Sequence, residues 1–100
     1  MSKGLGKTQL AVMEAFNASP KEWLSVSEVA NYAFNSAAPG AAELASVRRA
    51  LVKVIPIMDL HCQRFRLEAQ LGWKNKYMKY SELAAIFTEH GETPPRKLNR

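Results

Sequence analysis

The sequence is poor in the residues that build metal sites and covalent cross-links. It has one cysteine, Cys62, and two histidines, His61 and His90, in 100 residues. A single cysteine excludes an intrachain disulfide, and these three side chains cannot supply the four ligands of a structural zinc site. We therefore expect no metal and no other cofactor.

Long apolar runs are also missing. No stretch approaches the about 20 apolar residues of a membrane-spanning helix. The first residues, MSKGLGKTQ, lack the apolar region of a signal peptide. Together with the single cysteine, these absences predict a cytoplasmic protein without a membrane partner.

The motifs of common enzymes are incomplete. Residues 4–8, GLGKT, resemble the end of a phosphate-binding P-loop, but Met1 occupies the position of the first glycine of that motif. His61 and Cys62 are adjacent, without the glycine-rich turn of a nucleophilic cysteine. Since adjacent strand residues point to opposite faces, we predict Cys62 buried in a sheet and His61 at the surface. We expect neither nucleotide binding nor catalysis.

The composition, 47% hydrophobic and 23% charged, is that of one small globular domain. We assign residues 1–90 to this domain and residues 91–100 to a basic tail that is predicted to be disordered.

The net charge of +5 comes from the middle of the chain. Residues 37–58 carry three cations and one anion, and residues 59–80 carry five cations and two anions. Positive charge clustered in this way is typical of a nucleic-acid-binding surface.

Capping signals predict two helices in the first third of the chain. Thr8 is a predicted cap for a helix over residues 9–18. Ser25 and Glu28 have the spacing of a capping box, which opens a second helix after a short apolar link at residues 23–24.

A third helix is predicted over residues 41–54, and Pro56 ends it or lies just beyond it. Apolar residues recur at the spacing of one buried helical face, namely Leu44, Val47, Leu51 and Val54. The opposite face carries small, polar and basic residues and no acid, namely Ala42, Ala45, Ser46, Arg49 and Lys53. Such a face can enter the major groove of DNA, about 12 Å wide. The alternative is a solvated basic face.

A β-hairpin is predicted next, with strands over residues 57–68 and 74–80 and a turn at residues 70–72. Basic side chains follow it, namely Arg64, Arg66, Lys74, Lys76 and Lys79. We predict that its aromatic residues, Trp73, Tyr77 and Tyr80, pack on the helices; an exposed one could stack on unpaired bases. A last short helix, Ser81–His90, either closes the core or forms a homodimer.

The order of these elements resembles the winged-helix branch of the helix-turn-helix superfamily. KTQLAVMEAF, LSVSEVANYAF and ASVRRALVKV carry the resemblance as the three helices. It covers about residues 5–80 and implies an α+β, mostly helical fold, with three helices, a β-hairpin wing and a short C-terminal helix.

The resemblance also implies a mode of DNA binding. In that family the third helix enters the major groove, and the wing touches the DNA backbone or the minor groove. Carried over, Ser46, Arg49 and Lys53 face the groove and Arg48 lies at its edge. The wing is then served by three further cations, Arg66, Lys74 and Lys76.

We therefore expect a duplex DNA-binding module, either a small transcriptional regulator or a mobile-element replication or excision protein. The alternative is a winged-helix domain for protein–protein assembly, with its basic face merely solvated. Binding to RNA or to single strands is a further alternative.

Overall fold

Seven elements follow one another in a computed structural model that describes residues 6–67 and 72–96. In these residues, four helices and a three-stranded antiparallel sheet make an α+β fold. The elements are α1 (Lys7–Ala18), β1 (Leu24–Ser25), α2 (Val26–Phe34), α3 (Ala41–Met58), β2 (Leu60–Leu67), β3 (Gly72–Lys79) and α4 (Tyr80–Glu89). None of the helices in these ranges is long and apolar enough to cross a membrane.

Side-chain caps define the first two helices. The predicted capping box of α2 is confirmed, because the Ser25 N–H donates to Glu28 Oε1 at 2.8 Å and the Glu28 N–H donates to Ser25 Oγ at 3.2 Å. The predicted Thr8 cap of α1 is wrong. The cap is Gly6, whose N–H donates to the Gln9 carboxamide oxygen at 2.8 Å, so that Thr8 lies inside the first turn.

The core lies where the first three helices meet the base of the sheet. Each helix contributes the apolar stripe that its sequence period predicts. The largest buried members are Val12 and Phe16 of α1, Val29 of α2, and Val47, Leu51 and Val54 of α3. The predicted inward face of α3 is confirmed, with Leu44 half-buried at its edge.

Helix α3 is longer than predicted and includes Pro56. A proline removes the hydrogen bond to the carbonyl four residues earlier, here that of Val52. Val52 and Pro56 both lie on the exposed side of the helix, where a carbonyl without an intrahelical partner is less costly than in the core. The helix ends when Asp59, in the left-handed conformation with φ 56°, donates its N–H to the Ile55 carbonyl.

The three strands pair in the order β1-β3-β2. β3 pairs with β2 along its whole length, and β1 covers only Lys76 and Tyr77 of its other edge. Several of the predicted strand bounds are wrong. β2 begins at Leu60 because the helix continues through residues 57–58, and β3 begins at Gly72, which had been predicted in the turn. Residues 70–71 of that turn lie outside the described ranges.

Alternation along the strands gives the hairpin two faces. Leu24, Leu60 and Tyr77 lie on the face toward the helices, and Met78 is buried on the other. Cys62 shares the face of its pairing partner Tyr77 but is exposed, so the prediction that it is buried is wrong. The core covers Tyr77 but not Cys62, so alternation along β2 does not imply burial here.

The opposite sheet face has its own aromatic contacts. His61 is half-buried, with its ring 6.1 Å from Trp23 and 6.0 Å from Tyr80. α4 begins at Tyr80, packs against β3 and buries Leu83. A homodimer through Ser81–His90 remains a prediction.

The tail assigned to residues 91–100 is described only as far as Arg96. Within that part the Tyr80 hydroxyl donates to the Pro95 carbonyl at 2.7 Å. The predicted disorder of the tail remains a prediction.

We expect Leu51→Ala to lower the free energy of unfolding by about 2–5 kcal/mol, the cost of truncating a core leucine. Leu51 is 2% exposed and belongs to the core. The matched control is its neighbour Val52→Ala, because Val52 is 69% exposed. Thermal melting of the two variants should separate them, and equal melting temperatures would mean that α3 faces the other way.

Candidate nucleic-acid interface

The outward side of α3 is accessible along most of its length. Ala42, Arg48, Arg49 and Lys53 are exposed, whereas Ala45 and Ser46 are half-buried. The middle line of this side consists of residues at helical spacings of four, three and four, namely Ala45, Arg49, Val52 and Pro56. The six predicted α3 residues therefore lie on or beside one solvent-facing surface.

The acid of this helix is engaged at its start. Glu43 Oε1 accepts the N–H of Gly40, the N-cap residue, at 3.0 Å. A carboxylate in the first turn of a helix also interacts favourably with the helix dipole. Its negative charge is thereby held at the N-terminal end of α3, away from Arg49 and Lys53.

A groove separates the outward side of α3 from the start of α1. Its volume is about 360 Å³, and it is lined by residues 6–9 together with Ser46, Arg49, Ala50 and Lys53. Arg49 Nη2 donates to Ser46 Oγ at 3.3 Å, which holds this guanidinium toward the groove. Lys7 thus joins Arg49 and Lys53 around one depression, which we call the α1 groove.

A second depression lies on the other flank of α3. It has a volume of about 290 Å³ and lies between the start of α2, Arg48 and the part of β3 that β1 leaves unpaired. Residues 25–27 form its α2 side, and residues 73–75 together with Tyr77 form its β3 side. We call this depression the wing cleft. It links α3 to the hairpin through Arg48.

Tyr77 reports on the surroundings of the wing cleft. Burial raises the pKa of its phenol above the ordinary value, and the neighbouring Cys62 raises it further through charge and a hydrogen bond. The positive charge of Arg48 acts in the opposite direction and lowers it. Arg48 is therefore close enough to Tyr77 for their charges to interact.

The predicted wing cations do not share one face. Arg66 pairs with Trp73, on the face that continues from Tyr77. Lys74 pairs with Phe65, and Lys76 pairs with Gln63, on the opposite face. Lys76 Nζ lies 5.6 Å from the centre of the Phe65 ring. Arg66 thus lies on the hairpin face that continues from Tyr77. Lys74 nevertheless lines the wing cleft together with Arg48, whereas Lys76 lies beside Phe65.

The aromatic residues of the hairpin also divide. Tyr77 packs against the core, as predicted. The prediction is wrong for Trp73, which is 59% exposed and has the Arg64 guanidinium 5.3 Å from its ring centre. Trp73 lies where the hairpin extends beyond β1, so no helix covers it.

Two residues of this surface were missed by sequence reasoning. Lys7 lies 39 positions before Ser46, and only tertiary packing brings it to α3. Val52 was not singled out because it is apolar, although its helical position, three residues after Arg49, placed it on the outward side.

Within residues 6–67 and 72–96, no group of three or more His, Cys, Asp or Glu side chains could hold a metal ion. In comparisons with known proteins, no family model, no curated protein and no solved structure matches the chain. The function of this surface is therefore inferred from its geometry and charge.

We expect Arg48→Met to raise the pKa of Tyr77 further, because it removes the positive charge that favours the phenolate. NMR titration of labelled tyrosine, assigned with Tyr77→Phe, measures this pKa. Arg49→Met is the matched control and should leave it unchanged, since Arg49 lies at the other groove. A Tyr77 pKa unaffected by Arg48→Met would separate Arg48 from the wing cleft.

The same titration has a consequence for stability. A folded-state pKa above the unfolded value of about 10 favours the neutral phenol in the folded protein. The resulting contribution to the free energy of unfolding is fully present below pH about 10, and it is lost as the pH rises through the folded-state pKa.

Proposed function

We propose that this protein binds duplex DNA as a winged-helix module, with the outward side of α3 in the major groove. The observation that carries the proposal is the continuity of the basic surface. It runs from Lys7 in the α1 groove across Arg49 and Lys53 to Arg48 and the wing cleft. Lys7 of α1, three cations of α3 and Lys74 of β3 thus contribute to one strip, as a duplex with a phosphate chain on each side of its groove requires.

The flanks of α3 suit contacts with phosphates. The starts of α1 and α2 border the two depressions, and helix N-termini favour anions because their first N–H groups lack intrahelical partners. Lys7 and Arg48 add full charges at the same two places. We assign these residues to the DNA backbone on either side of the groove.

The middle of α3 suits contacts with bases. Arg49 is exposed on the middle line of the helix, and a guanidinium can donate two hydrogen bonds to guanine O6 and N7. Ala42 and Ala45 are small and allow the helix backbone to approach the floor of the groove. Ser46, one turn before Arg49, accepts a hydrogen bond from its guanidinium.

For the wing we propose unequal roles. Arg66, on the face that continues toward α3, contacts the DNA backbone beside the major groove. Lys74 lines the wing cleft beside Arg48 and contacts the same stretch of backbone. Lys76 reaches the duplex only where the edge of the hairpin enters the minor groove. The biological role that fits such a module is that of a small transcriptional regulator or a mobile-element replication or excision protein.

One observation favours a second candidate. Trp73 is exposed beside Arg64, and an aromatic ring next to a cation can stack on an unpaired base. A single-strand-binding protein would use this ring rather than α3. Assembly with another protein, the remaining alternative, would not require the basic strip.

We expect binding to a random duplex to depend strongly on salt. If the strip neutralises about five phosphates, the affinity should fall by about several hundredfold between about 50 and 200 mM salt. Fluorescence anisotropy titration measures this dependence. Unlabelled single strand and duplex serve as competitors; more effective competition by the single strand would favour the Trp73 candidate, and no binding at low salt would favour protein assembly.

We expect Arg49→Ala and Lys7→Ala to differ in kind. The first should weaken binding to the preferred duplex by about 1–3 kcal/mol and leave random duplex almost unaffected. The second should weaken both alike and reduce the salt slope by about one unit. The preferred duplex comes from selection out of a random library.

The matched control for both variants is Lys21→Ala. Lys21 is exposed but follows the C-terminal end of α1, away from the α1 groove. A loss of binding in Lys21→Ala equal to that in Lys7→Ala would mean that net charge, and not the strip, governs affinity.

A further inference from the structure

One apolar side chain stands in the middle of the basic strip. Val52 is 69% exposed, the largest exposed fraction among the large hydrophobic residues of the described part of the chain. Pro56, one turn after Val52 along the same line, is also exposed. Ala45 lies on this line two turns before Val52. The centre of the strip is therefore apolar beyond Arg49, with cations on both flanks.

Within residues 6–67 and 72–96, Val52 stays open because the two neighbouring guanidiniums are directed away from it. Arg49 donates to Ser46 and leans toward the α1 groove. Arg48 lines the wing cleft on the other flank, near Tyr77. The gap between these two arginines exposes the methyl groups of Val52 to whatever enters against α3.

We propose that Val52 contacts the C5-methyl group of a thymine and makes the protein specific for thymine at that position; the inference rests on the proposed duplex binding. In the major groove this methyl group is the apolar feature that distinguishes a base pair by contact rather than by hydrogen bonding. A protein partner packing on Val52 would also have to bury the flanking arginines, at a cost in desolvation. When Val52 faces DNA, Arg48 contacts a phosphate and Arg49 contacts a guanine.

For a helix that lies along the groove, helix geometry limits how far this thymine lies from the base that Arg49 contacts. Three residues of α-helix advance by about 4.5 Å, and successive base pairs are separated by about 3.4 Å. The two side chains therefore address base pairs one or two steps apart. The predicted site contains a guanine and, one or two positions from it, a thymine on either strand.

The test replaces thymine by deoxyuridine, which removes only the methyl group. Each thymine of the duplex selected from a random library is replaced in turn. We expect one replacement, one or two positions from the guanine, to weaken binding about fourfold, the effect of one buried methyl group. The Val52→Ala variant should bind the thymine duplex about fourfold more weakly than the wild type does. It should bind the thymine and deoxyuridine duplexes equally well.

Ile57→Ala is the matched control. Ile57 is an apolar residue of α3 that is 52% exposed but lies off the middle line, so its truncation should leave the fourfold difference intact. Both variants remove exposed side chains, and melting curves verify that they fold like the wild type.

The outcomes separate this inference from the proposed function. Absence of duplex binding overturns both. Duplex binding without a selected sequence, a selected sequence without thymine, or equal binding of thymine and deoxyuridine duplexes overturns the role of Val52 alone. If Val52→Ala still prefers thymine, another residue makes the contact and the inference is wrong.

Discussion

The burial of one side of α3 determines most of what this molecule presents to its surroundings. Val47 and Val54 are fully buried and Leu51 nearly so, each against the other helices. Because a buried stripe fixes how a helix is rotated about its axis, it also fixes what the opposite side displays. Arg49, Val52 and their neighbours are exposed for that reason.

The same packing brings together charges that are far apart in the chain. α1 packs across α3 with its first turn beside Arg49 and Lys53, and β3 places Trp73 near Arg48. The cations themselves stay at the surface, so holding them together requires no burial of charge. Burial does raise the pKa of the nearby Tyr77. The basic strip is thus a product of the apolar core, which sets how α1, α3 and β3 pack.

The elements that the sequence predicted best are those with a local physical signal. The Ser25 capping box and the apolar stripe of α3 depend on residues within a few turns of one another, and both are present. The predicted end of α3 is too early. The free-energy cost of Pro56 depends on the surroundings of the Val52 carbonyl, which the local sequence does not show. Cys62 was predicted buried, because alternation in a strand does not show where the strand leaves the core.

The candidate site follows the same division. Arg49 and Lys53 could be placed on one face from helical spacing, whereas Lys7 could not, since only packing brings α1 to α3. The division of the hairpin cations, with Arg66 on one face and Lys76 on the other, depends on a strand register that composition does not determine.

The most direct test of the account is a map of backbone amide chemical shifts during titration with a short random duplex. The account predicts the largest changes in the middle of α3, from Ala45 to Lys53, with further changes at the start of α1 and at Trp73–Asn75 of β3. Lys21 and the exposed side of α4 should not respond. Changes confined to α4, or changes at Trp73 that appear only with single-stranded DNA, would contradict the central claim that the outward side of α3 is the binding surface.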